Sequence, residues 1–276
     1  MTHKPDDGPR SQLEESLAGI ADLSFGEEVP ESCEILINGR PDASVLDGLP
    51  SLKAVVIPWA GVPPVTVEAL QGREGVSLHN LHHNASMTAE MAVALMFAAA
   101  RRIIPLHNEF HQGNWEPRWE SRDAVSFDGK TAVVLGYGNI GRRVGAVCEA
   151  SGMEVVGVTL SGRDGSVPVS VLDEHLPNAD FLIVTVPLTP ETKGMISKER
   201  IALLPENCVI VNVGRGAVID EEALFAALKE KRIDSAGLDV WYQYPKSGEE
   251  KVSPSQFPFG ELPNVVMTPH IGGGTG

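Results

Sequence analysis

Aromatic residues are scarce in this 276-residue chain, at 5% of the sequence, and there are only three cysteines. Cys33, Cys148 and Cys208 stand far apart with no CxxC spacing, and the last two sit in apolar segments. That usage argues against a disulfide framework or a cysteine zinc site and suits reduced, packed thiols in the cytoplasm. No apolar run approaches the roughly 18 residues that a membrane helix needs, and the opening MTHKPDDGPRSQLEES lacks the apolar stretch of a secretory signal. Positive charge is also short. Against 37 Asp and Glu stand 22 Lys and Arg, a net charge of −15 with no basic block, so neither nucleic acid nor an anionic membrane is an expected partner. His82, His83, His107 and His111 invite a metal reading, but no acid or cysteine joins them at ligand spacing, and no metal site is expected.

What the chain does have is 42% hydrophobic residues, enough for one large or two medium domains with ordinary cores. From residue 131 onward, six short Val- and Ile-rich runs read as strands: Thr131–Leu135, Glu154–Thr159, Phe181–Val186, Cys208–Val213, Ser235–Val240 and Asn264–Thr268. Helix-like segments at Ile140–Ser151, Val169–His175, Ser197–Leu204 and Glu221–Lys229 alternate with them. The pattern predicts a doubly wound α/β domain around a parallel sheet buried on both faces. Before residue 90 the pattern is weaker, with a helix at Gln12–Ile20 and strands within Cys33–Asn38 and Leu52–Ile57, and it reads as a smaller α/β domain. The expected division is 1–88 and 89–270, with 271–276 opening a further segment. Thr88–Leu106, rich in Ala and Met, reads as one buried helix joining the two. An arm at about 107–128 follows, with Trp115 and Trp119 in a polar setting; it either clasps a second subunit or folds over its own domain.

The stretch TAVVLGYGNIGRRVG places Gly136-x-Gly138-x-x-Gly141 between a strand and a helix. Gly136 permits the tight turn, Gly138 lets backbone approach a pyrophosphate, and Gly141 allows close helix–sheet packing while the helix N-terminus faces the anion. Gly136, Tyr137, Gly138, Asn139, Ile140 and Gly141 are therefore the expected dinucleotide turn; the alternative is a glycine-rich turn without a ligand. At the end of the second strand an NAD site would place an acid, and Val158-Thr159-Leu160-Ser161-Gly162-Arg163 offers none. Thr159 and Ser161 do not repel a phosphate, and Arg163 can pair with a 2′-phosphate, which favours NADP over NAD. Asp164 counts against this, and Arg163 as a solvated loop cation is the alternative.

Two further residues follow strands on the same rim. Arg215 stands between Gly214 and Gly216, which leave the backbone free to aim a guanidinium, and His270 follows Pro269 and precedes three glycines. Taken singly, each is more often a surface or structural residue. Together they meet the needs of hydride transfer to a 2-oxo acid: a cation for the carboxylate and carbonyl, and a proton donor for the emerging alkoxide.

Gly136–Gly141, PLTPETKGMI (187–196), NVGRGAVIDEEAL (212–224), GLDV (237–240) and NVVMTPHIGG (264–273) together resemble the D-isomer-specific 2-hydroxyacid dehydrogenase family. The likeness runs from about Leu49 to Gly276 and includes SLKAVVIPWAGV (51–62) and HNASMTAEMAVAL (83–95). It implies a Rossmann nucleotide-binding domain beside a flavodoxin-like substrate domain, NAD(P) as cofactor, a small 2-oxo or 2-hydroxy acid as substrate, and a homodimer. By the resemblance, Arg215 binds and polarises substrate and His270 is the acid/base. The backbone of Ala60, Gly61 and Val62 receives the carboxylate, Asp239 and Pro187 line the nicotinamide pocket, and Val186, Val213 and Gly214 are further cofactor-binding positions.

The chain departs from its family in GLDVWYQYPK, where Tyr244 occupies the place of a glutamate that pairs with the catalytic histidine. A phenol cannot raise the imidazole pKa by charge, so His270 is expected to titrate near the reference of about 6.5, with the Tyr244 hydroxyl orienting the ring or Tyr244 merely packing on Trp241. Formate dehydrogenases of the family also lack the glutamate, which keeps formate oxidation as an alternative, and a non-catalytic NAD(P) sensor on the same fold is another. The family's first strand and its returning C-terminal helix are not visible, so part of the substrate-domain core is expected to be missing and stability reduced.

Overall fold

Short β-branched runs become strands of two parallel sheets, and the turns after those strands carry the residues of interest. The computed structural model describes residues 7–26, 28–120, 124–246 and 251–274. The chain divides into two units, residues 1–83 and 84–276.

The first unit contains, in order, α1 (Asp7–Leu17), β1 (Ile35–Ile37), α2 (Ala43–Asp47), β2 (Ala54–Ile57), α3 (Pro64–Leu70) and β3 (Ser77–Asn80). Its three strands pair in the order β1-β2-β3, all parallel, so their C-terminal ends share one edge. Leu36, Val55 and Ile57 are buried against Leu46, Leu49 and Leu52. Asp42 caps α2 by accepting the Val45 N–H at 3.2 Å, and Pro64 opens α3, where its missing N–H costs nothing. The first helix lies earlier than the predicted Gln12–Ile20. β3, whose sequence is SLHN, escapes prediction because it is polar and only half-buried.

The second unit opens with α4 (Ala85–Ala100), α5 (Ile103–His111) and α6 (Pro117–Glu120). The single helix predicted over Thr88–Leu106 is thus two. Arg102 adopts the left-handed conformation (φ 54°), and the break puts Pro105 in the first turn of α5, where it leaves no backbone acceptor unpaired. Arg102 is fixed there by an ion pair with Asp234 at 2.8 Å. Of the predicted arm, residues 121–123 lie outside the described residues, as do 275 and 276 of the predicted terminal segment.

The sheet then builds from β4 (Thr131–Leu135), α7 (Asn139–Ala150), β5 (Glu154–Thr159), β6 (Val167–Pro168), α8 (Leu172–His175) and β7 (Phe181–Val184). It is completed by α9 (Lys198–Leu203), β8 (Val209–Asn212), α10 (Glu221–Lys229), β9 (Ser235–Leu238) and β10 (Val265–Met267). The order is β10-β9-β8-β7-β4-β5-β6, all parallel. Seven strands form where six were expected; β6 is two residues long and contains a proline, so no periodicity reveals it. β7, β8 and β9 are buried along their whole length, with one core cluster on each face of the sheet. Cys148 and Cys208 belong to these cores as free thiols, and burial pushes the Cys148 thiol up to about 12.

Strand order reverses between β4 and β7, and the crevice beyond such a switch is where doubly wound sheets take ligands. Gly136 ends β4 at that point with φ 101°, and a side chain on it would strike the Thr185 hydroxyl at 2.7 Å and Val186 Cγ1 at 2.9 Å. Gly141 sits on the Gly136 carbonyl, with Val134 at 3.0 Å from any added Cβ, so α7 lies directly on β4. Gly141→Ala is therefore expected to destabilise the protein by about 1–3 kcal/mol through overpacking against backbone, read as a lowered midpoint in urea; an unchanged midpoint would show that α7 can move away from β4 freely.

Candidate active site

The phosphate turn is built by backbone. The N–H groups of Gly136 and Tyr137 both donate to the Val158 carbonyl, at 2.9 and 3.0 Å, and Gly138 N donates to the Gly136 carbonyl at 2.8 Å. That leaves the first-turn amides of α7 at Asn139, Ile140 and Gly141 without intrahelical partners, the arrangement that binds anions. Gly138 has nothing within 4 Å of where a Cβ would stand, so open space faces the helix N-terminus. These residues fit a pyrophosphate. Tyr137 is a different matter. Its ring packs against Gly145 and Gly157, neither of which has room for a side chain, and the Arg142 guanidinium lies 5.1 Å above it. Its side chain and its N–H are both engaged within the protein.

Beyond β5, the Thr159 hydroxyl is 2.7 Å from Ser166 Oγ and accepts the Gly162 N–H at 3.1 Å. Thr159 therefore shapes the loop instead of presenting a free hydroxyl. Ser161 and Arg163 are exposed. Asp164, left-handed at φ 56°, pairs with Arg142 at 3.4 Å, so the acid beside Arg163 is turned toward a cation of α7. Arg142 carried no signal in the sequence, because only the fold brings the α7 first turn to this loop.

Arg215 follows β8, held by Asn212. The Asn212 amide donates to the Arg215 carbonyl at 3.1 Å, and its Oδ1 accepts the Gly214 N–H at 3.0 Å. The glycines flanking Arg215 do not serve the freedom expected of them. A Cβ on Gly214 would stand 2.5 Å from the Val186 carbonyl oxygen, and one on Gly216 would run into the Trp241 carbonyl group. Both are glycine because backbone strands pass at contact distance. The guanidinium makes one bond among the described residues, Nη1 to the Gly214 carbonyl at 2.7 Å, and its other donors stay available.

His270 occupies the left-handed region at φ 57°, a conformation unfavourable for a residue with a Cβ. Asp239, almost fully buried after β9, holds it there. One carboxylate oxygen accepts the Thr268 hydroxyl at 2.6 Å and the Ile271 N–H at 3.1 Å, and the other accepts the Gly272 N–H at 2.9 Å. Trp241 Nε1 adds a bond to the Thr268 carbonyl at 2.8 Å. The Tyr244 hydroxyl accepts the Trp241 N–H at 3.0 Å and makes no hydrogen bond to the imidazole; the two rings meet at 5.4 Å and 54°. No described residue hydrogen-bonds to the His270 ring. Its pKa lies below the ordinary 6.5, because partial burial penalises the charged form and the Arg215 guanidinium opposes it, while Asp239 pulls the other way. The expectation of an unperturbed imidazole is corrected in that direction. Burial likewise raises the Tyr244 phenol, against its bond from Trp241. Trp241 and Tyr242 pack on Phe259 at 6.1 and 6.4 Å.

Val186 and Pro187 follow β7, where the Thr192 hydroxyl donates to the Pro187 carbonyl at 2.6 Å; Val213 is buried. Ala60, Gly61 and Val62 belong to the first unit, in the loop after β2, where Asn80 Nδ2 donates to the Ala60 carbonyl at 2.7 Å.

A dinucleotide turn at the switch point, with an arginine after β8 and an unpaired histidine after β10 on the same rim of the sheet, suits a nicotinamide-dependent oxidoreductase. The chain belongs to the D-isomer specific 2-hydroxyacid dehydrogenase family, whose NAD-binding-domain profile matches residues 93–272. It is 34% identical over 251 residues to glyoxylate reductase of Thermococcus kodakarensis, covering 87% of this chain and 73% of that one. It is 33% identical over 245 residues to glycerate dehydrogenase of Methylorubrum extorquens, covering 86% and 74%. Among solved structures it resembles a D-isomer specific 2-hydroxyacid dehydrogenase from Xanthobacter autotrophicus Py2 in complex with NADPH and MES, with a TM-score of 0.78 and 26% identity over 99% of this chain and 87% of that one. An NADPH-dependent glyoxylate/hydroxypyruvate reductase from Sinorhizobium meliloti, in complex with NADP and malonate, matches with a TM-score of 0.71 and 28% identity over 87% and 74%. The protein is thus an NAD(P)-dependent oxidoreductase acting on CH–OH donors.

The Asp239 carboxylate, expected beside the nicotinamide, braces the His270 loop. Asp239→Asn puts an amide donor against a backbone N–H and loosens that loop. The expected result is a fall of about 10²-fold in kcat, as misplacement of an acid/base produces, with dinucleotide Kd unchanged; a large loss of dinucleotide affinity with kcat intact would show that bracing the loop is not its main part.

Proposed function

We propose that this protein reduces small 2-oxo acids such as glyoxylate and hydroxypyruvate to D-2-hydroxy acids, with NADPH preferred to NADH. The observation that carries the reading is the pair of strand-end groups with free chemistry: the Arg215 guanidinium, with donors to spare, and the His270 imidazole, bonded to nothing in the described protein. Asn139, Ile140 and Gly141 would hold the pyrophosphate, and a bound nicotinamide would supply the hydride. Arg215 takes the substrate carboxylate and draws charge onto the carbonyl oxygen as it becomes an alkoxide. His270 gives that oxygen its proton, and in the reverse direction removes it. By the family resemblance, the amides of Ala60, Gly61 and Val62 also receive the substrate carboxylate. The domain division, the cytoplasmic setting and a homodimer belong to the same proposal. Exposed Phe110, Trp115 and Trp119 support the dimer, since α5, α6 and their connection offer aromatic surface to a second copy.

Formate oxidation stands second, favoured by one observation: an imidazole without a carboxylate partner suffices where no proton is passed to substrate. Cofactor oxidation with a panel of 2-oxo acids, run beside cofactor reduction with formate, separates the two; turnover of formate alone overturns the main reading. With 2-oxo acids, kcat/KM should rise as pH falls through a midpoint below 6.5, because the protonated His270 is the donor, while oxidation of the hydroxy acid should rise with pH through the same value. A reduction profile that is flat from pH 5 to 8 would remove His270 as the acid.

Cofactor choice rests on Arg163, exposed next to an Asp164 that pairs with Arg142. Arg163→Ala is expected to weaken NADPH about tenfold and NADH little, since a charge-assisted bond to the 2′-phosphate is lost. Equal losses for both cofactors would take Arg163 out of the account.

A further inference from the structure

The loop assigned above to the substrate carboxylate is preceded by Trp59, and its setting is unusual for an indole. Such a side chain normally buries most of its surface, yet Trp59 is 44% exposed. It is nevertheless fixed. β1 and β2 are parallel neighbours, so the residues just past their ends lie side by side, and there the benzo edge of Trp59 rests on the α-carbon of Gly39. A Cβ at residue 39 would stand 2.5 Å from Cζ2 and 2.9 Å from Cζ3 and would run into Cη2 between them. Gly39 does not have a positive φ, so its lack of a side chain serves this contact and not the turn.

Both sides of the contact are anchored. Asn38 N donates to the Val56 carbonyl at 3.2 Å, and Asn38 Oδ1 accepts the Arg40 N–H at 2.9 Å, which sets the turn carrying Gly39. From the end of β3, Asn80 grips the carbonyl of Ala60, the residue directly after Trp59, at 2.7 Å. The indole is thus backed by a main chain whose turn and neighbouring loop are both anchored, and it stands in sequence beside the amides of Ala60, Gly61 and Val62.

We propose that Trp59, seated on Gly39, is a fixed wall that limits the substrate to 2-oxo acids with a short tail: hydrogen, methyl or hydroxymethyl on the carbonyl carbon. This rests on the 2-oxo acid reading above and narrows it. Branched or aromatic 2-oxo acids have to displace the ring from its seat on Gly39.

The test compares kcat/KM for 4-methyl-2-oxopentanoate with that for glyoxylate in the full chain with NADPH. Trp59→Ala should raise this ratio about tenfold or more, mainly through the larger acid, since each methylene accommodated or excluded in an apolar pocket is worth on the order of tenfold. Gly39→Ala, which adds nothing to the loop itself, should also shift the ratio by moving the indole off its seat, with a change in tryptophan emission; Trp59→Phe should keep the wild-type ratio. An unchanged ratio in Trp59→Ala and Gly39→Ala, with glyoxylate still reduced, overturns the wall and leaves the function standing. If no 2-oxo acid is turned over by the wild type, the reading of function fails, and the ratio of calorimetric Kd values for the same two acids decides the wall separately. Should Trp59→Ala not fold, Gly39→Ala and Trp59→Leu carry the comparison.

Discussion

The buried carboxylate of Asp239 is the constraint on which the site depends. It ends β9, where neighbouring strands fix its backbone, and it accepts three hydrogen bonds from the segment that follows β10. Bonds to an ionised acceptor are the strong ones, and losing that acceptor would leave the Ile271 and Gly272 amides unpaired at roughly 1–3 kcal/mol each. Those contributions offset the left-handed conformation of His270, which costs about 1–2 kcal/mol. A rigid strand end thus holds a strained loop, and the loop aims the imidazole.

A second constraint is close approach of backbone to backbone. Gly136, Gly141, Gly214 and Gly216 each stand where a Cβ would strike main-chain atoms or atoms next to them. Gly136 and Gly141 bring β4, α7 and the segment after β7 together at the switch point, while Gly214 and Gly216 bring the Arg215 turn against Val186 and Trp241. Arg215, on the turn so placed, lies close enough to His270 for its charge to oppose protonation of the imidazole.

The doubly wound domain was legible because strands buried on both faces must be continuous apolar runs, and those from Thr131 to Met267 were found within a residue or two at most ends. β3 and β6 were not legible: one is polar, the other is two residues with a proline. The break at Arg102 was missed because Ala- and Met-rich sequence on one side and an apolar Ile-Ile-Pro-Leu on the other read as one hydrophobic helix, although Pro105 was its signal. In the site, residue identities were readable and their partners were not. Nothing in GLDV indicates that Asp239 serves the His270 loop, and nothing in GRG indicates that its glycines serve Val186 and Trp241. The family resemblance puts Tyr244 opposite His270, and the structure adds that its hydroxyl accepts the Trp241 N–H and that its ring meets the imidazole.

In this protein, then, the acid/base is oriented by the main chain and an aromatic face instead of by a carboxylate bonded to its ring, and its pKa is shifted downward. The most direct measurement is the titration of the His270 imidazole by NMR in the wild-type protein and in Tyr244→Glu. A midpoint below 6.5 in the wild type, raised by about a unit or more when the carboxylate is introduced, is the predicted result. A wild-type midpoint above 6.5 that the substitution leaves in place would contradict the account.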